Sequence, residues 1–226
     1  LTDMARTAAG KMVAEGMEHP TTFEIVTAIG FLYFMEAGVD YVVLEVGLGG
    51  RFDSTNIIEG SIASVIATID YDHMDVLGNT LGEIAYQKAG IIKKDGIVIV
   101  YPQKEESRKV IQLVAKDMCA DYIEVDPNDI KVIDEKDTGS VFDLHFKGKV
   151  YKTINISMLG GYQVYNAATA AICLLELRDR GLVSFEDSQL LKGLYSTKWK
   201  GRLEVMGRDP IFLIDGAHNL QGVENL

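Results

Sequence analysis

The first 125 residues alternate between short apolar runs and longer segments with helical spacing. The apolar runs predict strands buried on both faces of a sheet, at residues 41–46, 64–69, 97–100 and 122–125. The segments with helical spacing predict helices at residues 1–17, 22–37, 81–89 and 105–119. Strands that alternate with helices in this way predict a mostly parallel, doubly wound α/β sheet.

The pattern changes near residue 128. Three segments with alternating apolar and polar positions predict a small antiparallel meander appended to the main sheet, at residues 130–132, 141–146 and 150–156. Two further helices are predicted at residues 163–178 and 185–194, and a short strand at residues 211–214.

The stretch Tyr41–Asn56 joins a predicted buried strand to a glycine-rich turn. Glu45 lies near the end of the apolar run, and three glycines follow it within five residues. Glycines let the backbone turn tightly and approach a ligand closely, and ligands of open α/β sheets lie outside the carboxyl ends of the strands. A carboxylate at the exit of a buried strand is costly unless it is paired. Glu45 is therefore a candidate site residue.

Glu45 and His73 follow neighbouring predicted strands, so both should lie at one edge of the sheet. A carboxylate and an imidazole at that edge can hold a divalent metal ion, with Asp70 and Asp72 as alternative ligands. Magnesium prefers oxygen ligands, and one histidine also allows manganese. The alternative is structural: His73 caps the following turn and Glu45 pairs with Arg51.

Lys88 falls late in the short helix predicted at residues 81–89. A lysine there is ordinarily explained by the negative end of the helix dipole. It could instead contact a phosphate, or react with CO2 to form a carbamate. The carbamate requires a neutral amine and hence a lowered lysine pKa.

Four residues in the second half are weaker candidates for a nucleotide site: Asn166, Arg202, Asp215 and His218. Helix asparagines are usually surface or cap residues, but Asn166 could bind an adenine edge. Arg202 follows a glycine in a predicted hinge. Asp215 and His218 lie at a glycine-containing strand exit, where they could contact a ribose and a phosphate.

The chain is acidic, with a formal net charge of -11 from 22 basic and 33 acidic residues. This composition argues against nucleic-acid binding and suits a soluble cytosolic protein. No apolar run approaches the roughly 20 residues of a membrane span, and the N-terminus lacks a signal-peptide core. Cys119 and Cys173 are predicted to be free thiols. We expect a cytoplasmic protein with no nucleic-acid or membrane partner.

Six segments together resemble the folylpolyglutamate synthase / dihydrofolate synthase family, within the Mur-ligase superfamily. They occur in the order of the family and cover most of the chain. The segments are PTTFEIVTAIGFLYF (20–34), VLEVGLGGRFDSTN (43–56), DHMDVLGNTLGEIAYQKAGIIK (72–93), LGGYQVYNAATA (159–170), KGRLEV (200–205) and DGAHN (215–219).

The resemblance implies a fold, a domain division and an activity. Residues 1–198 would form the central ATP-binding domain of a Mur ligase, which is P-loop NTPase-like, and residues 199–226 a linker and the start of a C-terminal ligase domain. ATP would phosphorylate the carboxylate of a folate (dihydropteroate or a folyl-glutamate) to an acyl phosphate. The amine of L-glutamate would then displace phosphate to give an amide. The family expectation is a monomer.

The resemblance also implies roles for the candidate residues. Glu45 and His73 match the ligands of a second magnesium ion, for which manganese is the alternative, and Lys88 matches a carbamylated lysine. Asn166 matches a residue beside the adenine, and Arg202 an arginine that reaches the ATP phosphates. Asp215 and His218 match residues that domain closure brings onto the nucleotide. Lys88 and His218 are the two predicted to act in catalysis.

The chain departs from the family in three ways. It contains no G-x-x-x-x-G-K-S/T phosphate loop, which the family carries upstream of the position of Leu1. Leu220 follows the DGAHN segment where the family usually has proline. Most of the C-terminal glutamate-side domain has no counterpart. We therefore expect a fragment of a ligase that is inactive by itself and binds ATP poorly.

Two other functions fit parts of the sequence. One is a Mur-type ligase that adds amino acids to cell-wall precursors, and the segments GLGGRFDSTN and DHMDVLG favour the folate branch over it. The other is a non-catalytic nucleotide-binding module, which the missing phosphate loop would suit.

Overall fold

Leu1–Gly60 and Ser61–Leu226 form two units of the computed structural model, which describes residues 1–217 and 222–223. The first unit contains helices α1 (Thr2–Ala14) and α2 (Thr22–Ala37) and a 3-10 turn at Ser54–Ile57. The side chains of Thr21 and Glu24 cap the start of α2 reciprocally, and Gly38 ends it in a left-handed conformation. The predicted helix is confirmed at both ends.

The strand predicted at residues 41–46 is wrong: this segment is not a strand in the structure. Tyr41, Val42 and Val43 are exposed, Val43 by 98%, and Leu44 and Val46 are only partly buried. A strand is defined by the backbone hydrogen bonds to its neighbour, and no strand of the described residues pairs with this segment. An apolar run therefore identifies a segment suited to a sheet without supplying its partner.

The second unit begins with a parallel sheet of three strands in the order β1 (Ser64–Ile66), β2 (Ile97–Val100) and β3 (Asp121–Glu124). The connecting helices are α3 (Met74–Leu77) and α4 (Leu81–Ala89) between the first two strands, and α5 (Glu105–Asp117) before β3. The doubly wound parallel arrangement is confirmed, whereas α3 was not predicted.

The central strand β2 is buried on both faces. Val98 and Val100 belong to the apolar core formed with α4 and α5. Ile97 and Ile99 belong to a second core that includes the antiparallel sheet and the last two helices. This burial explains why β2 is a continuous apolar run rather than an alternating one.

The antiparallel meander consists of β4 (Ile130–Lys136), β5 (Gly139–Phe146) and β6 (Lys149–Ile156). Helices α6 (Gly161–Asp179) and α7 (Asp187–Ser196) follow it, and a hairpin of β7 (Glu204–Arg208) and β8 (Ile211–Ile214) comes after them. The meander is confirmed, β7 was not predicted, and the domain boundary at residue 198 stays a prediction. No described helix is long and apolar enough to cross a membrane.

Candidate functional site

The glycine turn of the first unit is organised by Asp53. Its Oδ2 atom accepts hydrogen bonds from the backbone amides of Gly47 and Leu48, each at 3.0 Å. Its Oδ1 atom accepts from the backbone amide and the hydroxyl of Thr55, at 2.9 and 2.6 Å. Burial acts to raise the pKa of Asp53, but these hydrogen bonds outweigh it and lower the pKa. The turn therefore contains a carboxylate, that of Asp53, whose negatively charged form is favoured.

Glu45 precedes this turn and is exposed. A Cβ atom at Gly47 would lie 2.5 Å from the ring of Phe23, so a larger residue there would require this exposed ring to move. Sequence reasoning missed Asp53. The signal that could have found it is an aspartate two residues before Thr55, the spacing of a capping turn.

The polar segment after β1 places His73 at the start of α3 in a left-handed backbone conformation, with φ of 49°. Its backbone carbonyl accepts hydrogen bonds from Val76 and Leu77. The side chain makes no capping hydrogen bond and is 55% exposed. The imidazole Nε2 atom lies 3.8 Å from Oδ1 of Asp72. The backbone of His73 therefore supports the turn, and its ring is left available to a ligand.

Lys88 lies in the last turn of α4, which begins with a capping box of Thr80 and Glu83. Burial lowers the pKa of Lys88, and the nearby charge of Asp72 opposes this effect only in part. Asp72 thus lies beside both His73 and Lys88. The structure brings these three side chains of the second unit together at the carboxyl edge of the parallel sheet.

Asp70, the other alternative ligand, is engaged elsewhere. Its Oδ1 atom lies 3.0 Å from Nζ of Lys104 and also accepts a hydrogen bond from the amide of Tyr71. Within the described ranges, no group of three or more His, Cys, Asp or Glu side chains could hold a metal ion. A metal ion at His73 would need additional ligands, and the pairing of Glu45 with His73 stays a prediction.

The start of α6 carries the candidate adenine residue. Asn166 is exposed, and its Nδ2 atom donates to Oε1 of Gln163 at 3.0 Å. The ring of Tyr165 lies 6.1 Å from that of Tyr101, which directly follows β2. The first turns of α6 therefore lie beside the carboxyl end of the parallel sheet.

Arg202 and Asp215 lie near Tyr162 at the same end of α6. Burial and the charge of Asp215 raise the pKa of Tyr162, and a hydrogen bond with Gln163 and the charge of Arg202 oppose this rise only in part. The carboxylate of Asp215 accepts hydrogen bonds from the backbone amides of Leu203 and Ala217, at 2.8 and 2.6 Å. These bonds hold the turn that carries Arg202 against the end of β8. Sequence reasoning missed Tyr162.

A cavity of about 420 Å³ adjoins this turn, and Arg202 lines it together with Met158 and Trp199. His218, the other residue predicted to act on the nucleotide, lies outside the described residues. Asn166, Arg202 and Asp215 are therefore found around the start of α6, and their binding roles stay predictions.

The fold and these side chains define a doubly wound α/β protein whose candidate ligand site lies at the carboxyl edge of its parallel sheet. Residues 1–174 match the Mur ligase middle domain, and the chain belongs to that family.

Among curated proteins, the dihydrofolate synthase/folylpolyglutamate synthase of Bacillus subtilis is 40% identical over 211 residues, which are 92% of this chain and 48% of that protein. The chain therefore spans about half the length of this relative. The folylpolyglutamate synthase of Mycobacterium tuberculosis, solved with ADP and AMPPCP, superposes with a TM-score of 0.86 at 30% identity, over 99% of this chain and 50% of that one.

A solved complex of a folylpolyglutamate synthase with AMPPCP and folate superposes with a TM-score of 0.89 at 29% identity, over 97% of this chain and 54% of that one. The resemblance drawn from the six sequence segments is confirmed by these comparisons.

Proposed function

We propose that this chain is the central part of an ATP-dependent ligase that joins a folate carboxylate to the amine of L-glutamate. The observation that carries the proposal is the grouping of Asp72, His73 and the partly buried Lys88 at the sheet edge, in a chain similar to folylpolyglutamate synthases over almost its whole length. The substrates follow from the names of those relatives. The protein acts as a cytoplasmic monomer in this proposal.

The reaction has two steps. The folate carboxylate attacks the γ-phosphorus of ATP, which forms an acyl phosphate and releases ADP. The amine of glutamate then attacks the acyl carbon, which forms the amide, releases phosphate and gives up a proton. Charge on the transferring phosphoryl group must be offset by cationic groups, because this chemistry depends on positioning and electrostatic stabilisation.

His73 and Lys88 serve this step from the second unit. The imidazole ring is exposed and free of a capping role, so it suits one ligand position of a magnesium or manganese ion. Glu45 is the proposed carboxylate ligand, and water and phosphate oxygens would complete the shell. Such an ion, when bound, neutralises phosphate charge. The lowered pKa of Lys88 favours the neutral amine that carbamate formation needs.

The nucleotide is proposed to bind beside the start of α6. Asn166 would bind the adenine edge, Arg202 the phosphates, and Asp215 with His218 the ribose and phosphate side. The hydrogen bonds from Leu203 and Ala217 to Asp215 support this role for Arg202, since they fix the turn that presents it.

The test is an assay of ADP release on the full-length product of the reading frame that encodes this chain. We expect ADP release that requires both L-glutamate and dihydropteroate or a folyl-glutamate, with the glutamylated product detected by mass spectrometry. Turnover with a UDP-sugar peptide in place of the folate would instead identify a Mur-type ligase that acts on cell-wall precursors. ATP binding without turnover on either substrate would favour a nucleotide-binding module.

The isolated chain provides a second arm. Because its sequence contains no G-x-x-x-x-G-K-S/T loop, we expect no ligase turnover and weak ATP binding from the isolated chain. Turnover of the isolated chain at the rate of the full-length product would refute this expectation.

A further inference from the structure

The segment that directly follows β1 is bonded by a side chain of the described residues, after the backbone pairing of β1 with β2 has ended. The hydrogen bond from the amide of Tyr101 to the carbonyl of Ile66, at 2.9 Å, closes the backbone pairing of β1 with β2. Pro102 then follows, and it has no backbone N–H to contribute. Beyond this point the backbone of the segment that leads from β1 to Asp72 and His73 is bonded by the side chain of the next residue, Gln103.

Gln103 bonds this segment through its side-chain amide. Its Nε2 atom donates to the carbonyl of Ala67 at 2.8 Å, and its Oε1 atom accepts from the amide of Ile69 at 3.1 Å. A side-chain amide offers the same donor and acceptor as a peptide group, so Gln103 bonds this edge as a neighbouring strand would. Gln103 is 7% exposed, and loss of its partners would leave buried polar groups unsatisfied.

Gln103 is itself fixed from the other side. Its backbone carbonyl accepts a hydrogen bond from Nη2 of Arg108 at 2.9 Å, and its backbone N–H donates to Oε1 of Glu124 at 3.4 Å. Nε of Arg108 in turn donates to both carboxylate oxygens of Glu124, at 2.8 and 3.0 Å. The backbone of Gln103, which carries the bonding side chain, is thus held in place by α5 and β3.

We propose that Gln103 is a positioning residue that fixes the segment from Ala67 to Ile69 and thereby sets the place of Asp72 and His73. The assignment of a task to His73 rests on the proposed function, but the positioning itself does not. Misplacement of a reacting group by about 1 Å can cost roughly a hundredfold in rate. Gln103 touches no substrate in this proposal and acts through the segment that it holds.

The test compares Gln103→Met, which keeps the length of the side chain without its hydrogen bonds, with Ser64→Ala in the full-length product. Ser64 is a matched control, because it is buried at the opposite end of β1 and its hydroxyl donates to the carbonyl of Ile91 at 2.8 Å. Both variants should lower the melting temperature. Only Gln103→Met should lower kcat, by about tenfold or more, with little change in the KM for ATP.

A second readout does not depend on activity. In spectra of ¹⁵N-labelled imidazoles, the His73 signals, assigned by their absence in His73→Asn, should shift or multiply in Gln103→Met and stay unchanged in Ser64→Ala. Equal kcat and equal His73 spectra in the two variants would overturn the proposal. If the parent protein has no ligase activity, the proposed function fails and the His73 spectra alone decide about Gln103. If Gln103→Met does not fold, Gln103→Glu, which keeps the size and one acceptor, takes its place under the same criteria.

Discussion

Lys88 is the residue whose surroundings most directly predict unusual chemistry. Burial lowers its pKa, so a larger fraction of the amine is neutral near pH 7 than for an exposed lysine. We expect Lys88→Ala to lower kcat by about a hundredfold or more, the usual effect of losing one charge-stabilising group. If the carbamate is the active form, added acetate or formate should restore part of the rate, because a small carboxylate can occupy the vacated position.

The matched control is Lys94→Ala, a nearby lysine that is exposed, and its kcat should not change. A ¹³C signal from labelled bicarbonate that is present in the parent protein and absent in Lys88→Ala would identify the carbamate directly. No rescue at any carboxylate concentration, together with no ¹³C signal, would leave Lys88 as a direct phosphate contact.

His73 allows a test that separates activity from stability. Its ring is half-exposed and makes no capping hydrogen bond, so its loss should cost little folding free energy. We use His73→Asn because asparagine tolerates the left-handed backbone conformation of this position. We expect a fall in kcat of about a hundredfold with a melting temperature within a few degrees of the parent. A variant that is fully active, or one that is unfolded, would contradict the ligand role.

The sequence predicted candidate site residues from their position at the end of a strand or helix, and it did not predict which side chains they would contact. His73 and Lys88 were singled out because they follow a strand and end a helix, and both lie at the predicted edge. The involvement of Gln103, Asp53 and Tyr162 was not predicted, because their roles depend on hydrogen bonds or charges that no local period encodes. Gln103 is 36 residues from its partner Ala67.

Individual elements were predicted best where local chemistry fixes their ends. Helix α4 was placed at both ends, since the side chains of Thr80 and Glu83 cap its start reciprocally. The strand prediction at residues 41–46 failed for the opposite reason. A strand needs a neighbouring strand to bond, and the apolar composition of a segment does not show whether such a neighbour is present. Helix α3 was missed because four residues after a polar cluster have too short a pattern to recognise.

One carboxylate bonds the backbone on both sides of the glycine turn of the first unit. Asp53 accepts hydrogen bonds from two backbone amides before it and from Thr55 after it. We expect Asp53→Ala to raise the hydrogen-exchange rates of the Gly47 and Leu48 amides about tenfold or more. Without the carboxylate, these amides no longer have to break a hydrogen bond to Asp53 before they exchange. Asp40→Ala, an exposed aspartate of the same unit, is the control. Unchanged exchange at Gly47 and Leu48 would show that the turn is held by other contacts.

At the scale of the whole molecule, the alternation of strands and helices predicted the α/β class, and the change near residue 128 predicted the second sheet. The division of the structure at Gly60 was not visible in the sequence, since the glycine there has no distinctive neighbours. The ion pairs that connect the parallel sheet with the antiparallel meander through α6 were also not predicted, because they link side chains up to 59 residues apart.

Glu176 on α6 is the centre of those ion pairs. It is 3% exposed and contacts Lys147 in the turn between β5 and β6. Its Oε1 atom also lies 2.7 Å from Nη2 of Arg180. Arg180 in turn forms an ion pair with Asp121 at the start of β3. The antiparallel sheet, α6 and the parallel sheet are therefore connected through one carboxylate.

This arrangement predicts a specific pH dependence of stability. Burial acts to raise the pKa of Glu176, but hydrogen bonds from Lys147 and Arg180 outweigh it and lower the pKa below the ordinary value of 4.5. A carboxyl group whose pKa is lower in the folded state stabilises the fold above its ordinary pKa, and this stabilisation is lost as the pH falls through the folded value.

We expect Glu176→Gln to reduce the free energy of unfolding by about 1–3 kcal/mol at pH 7. The difference from the parent protein should shrink below a pH of about 4.5, where the parent loses the same charge by protonation. Urea unfolding followed by circular dichroism from pH 3 to pH 7 measures both curves, and a difference that is constant across this range would refute the role of the Glu176 charge.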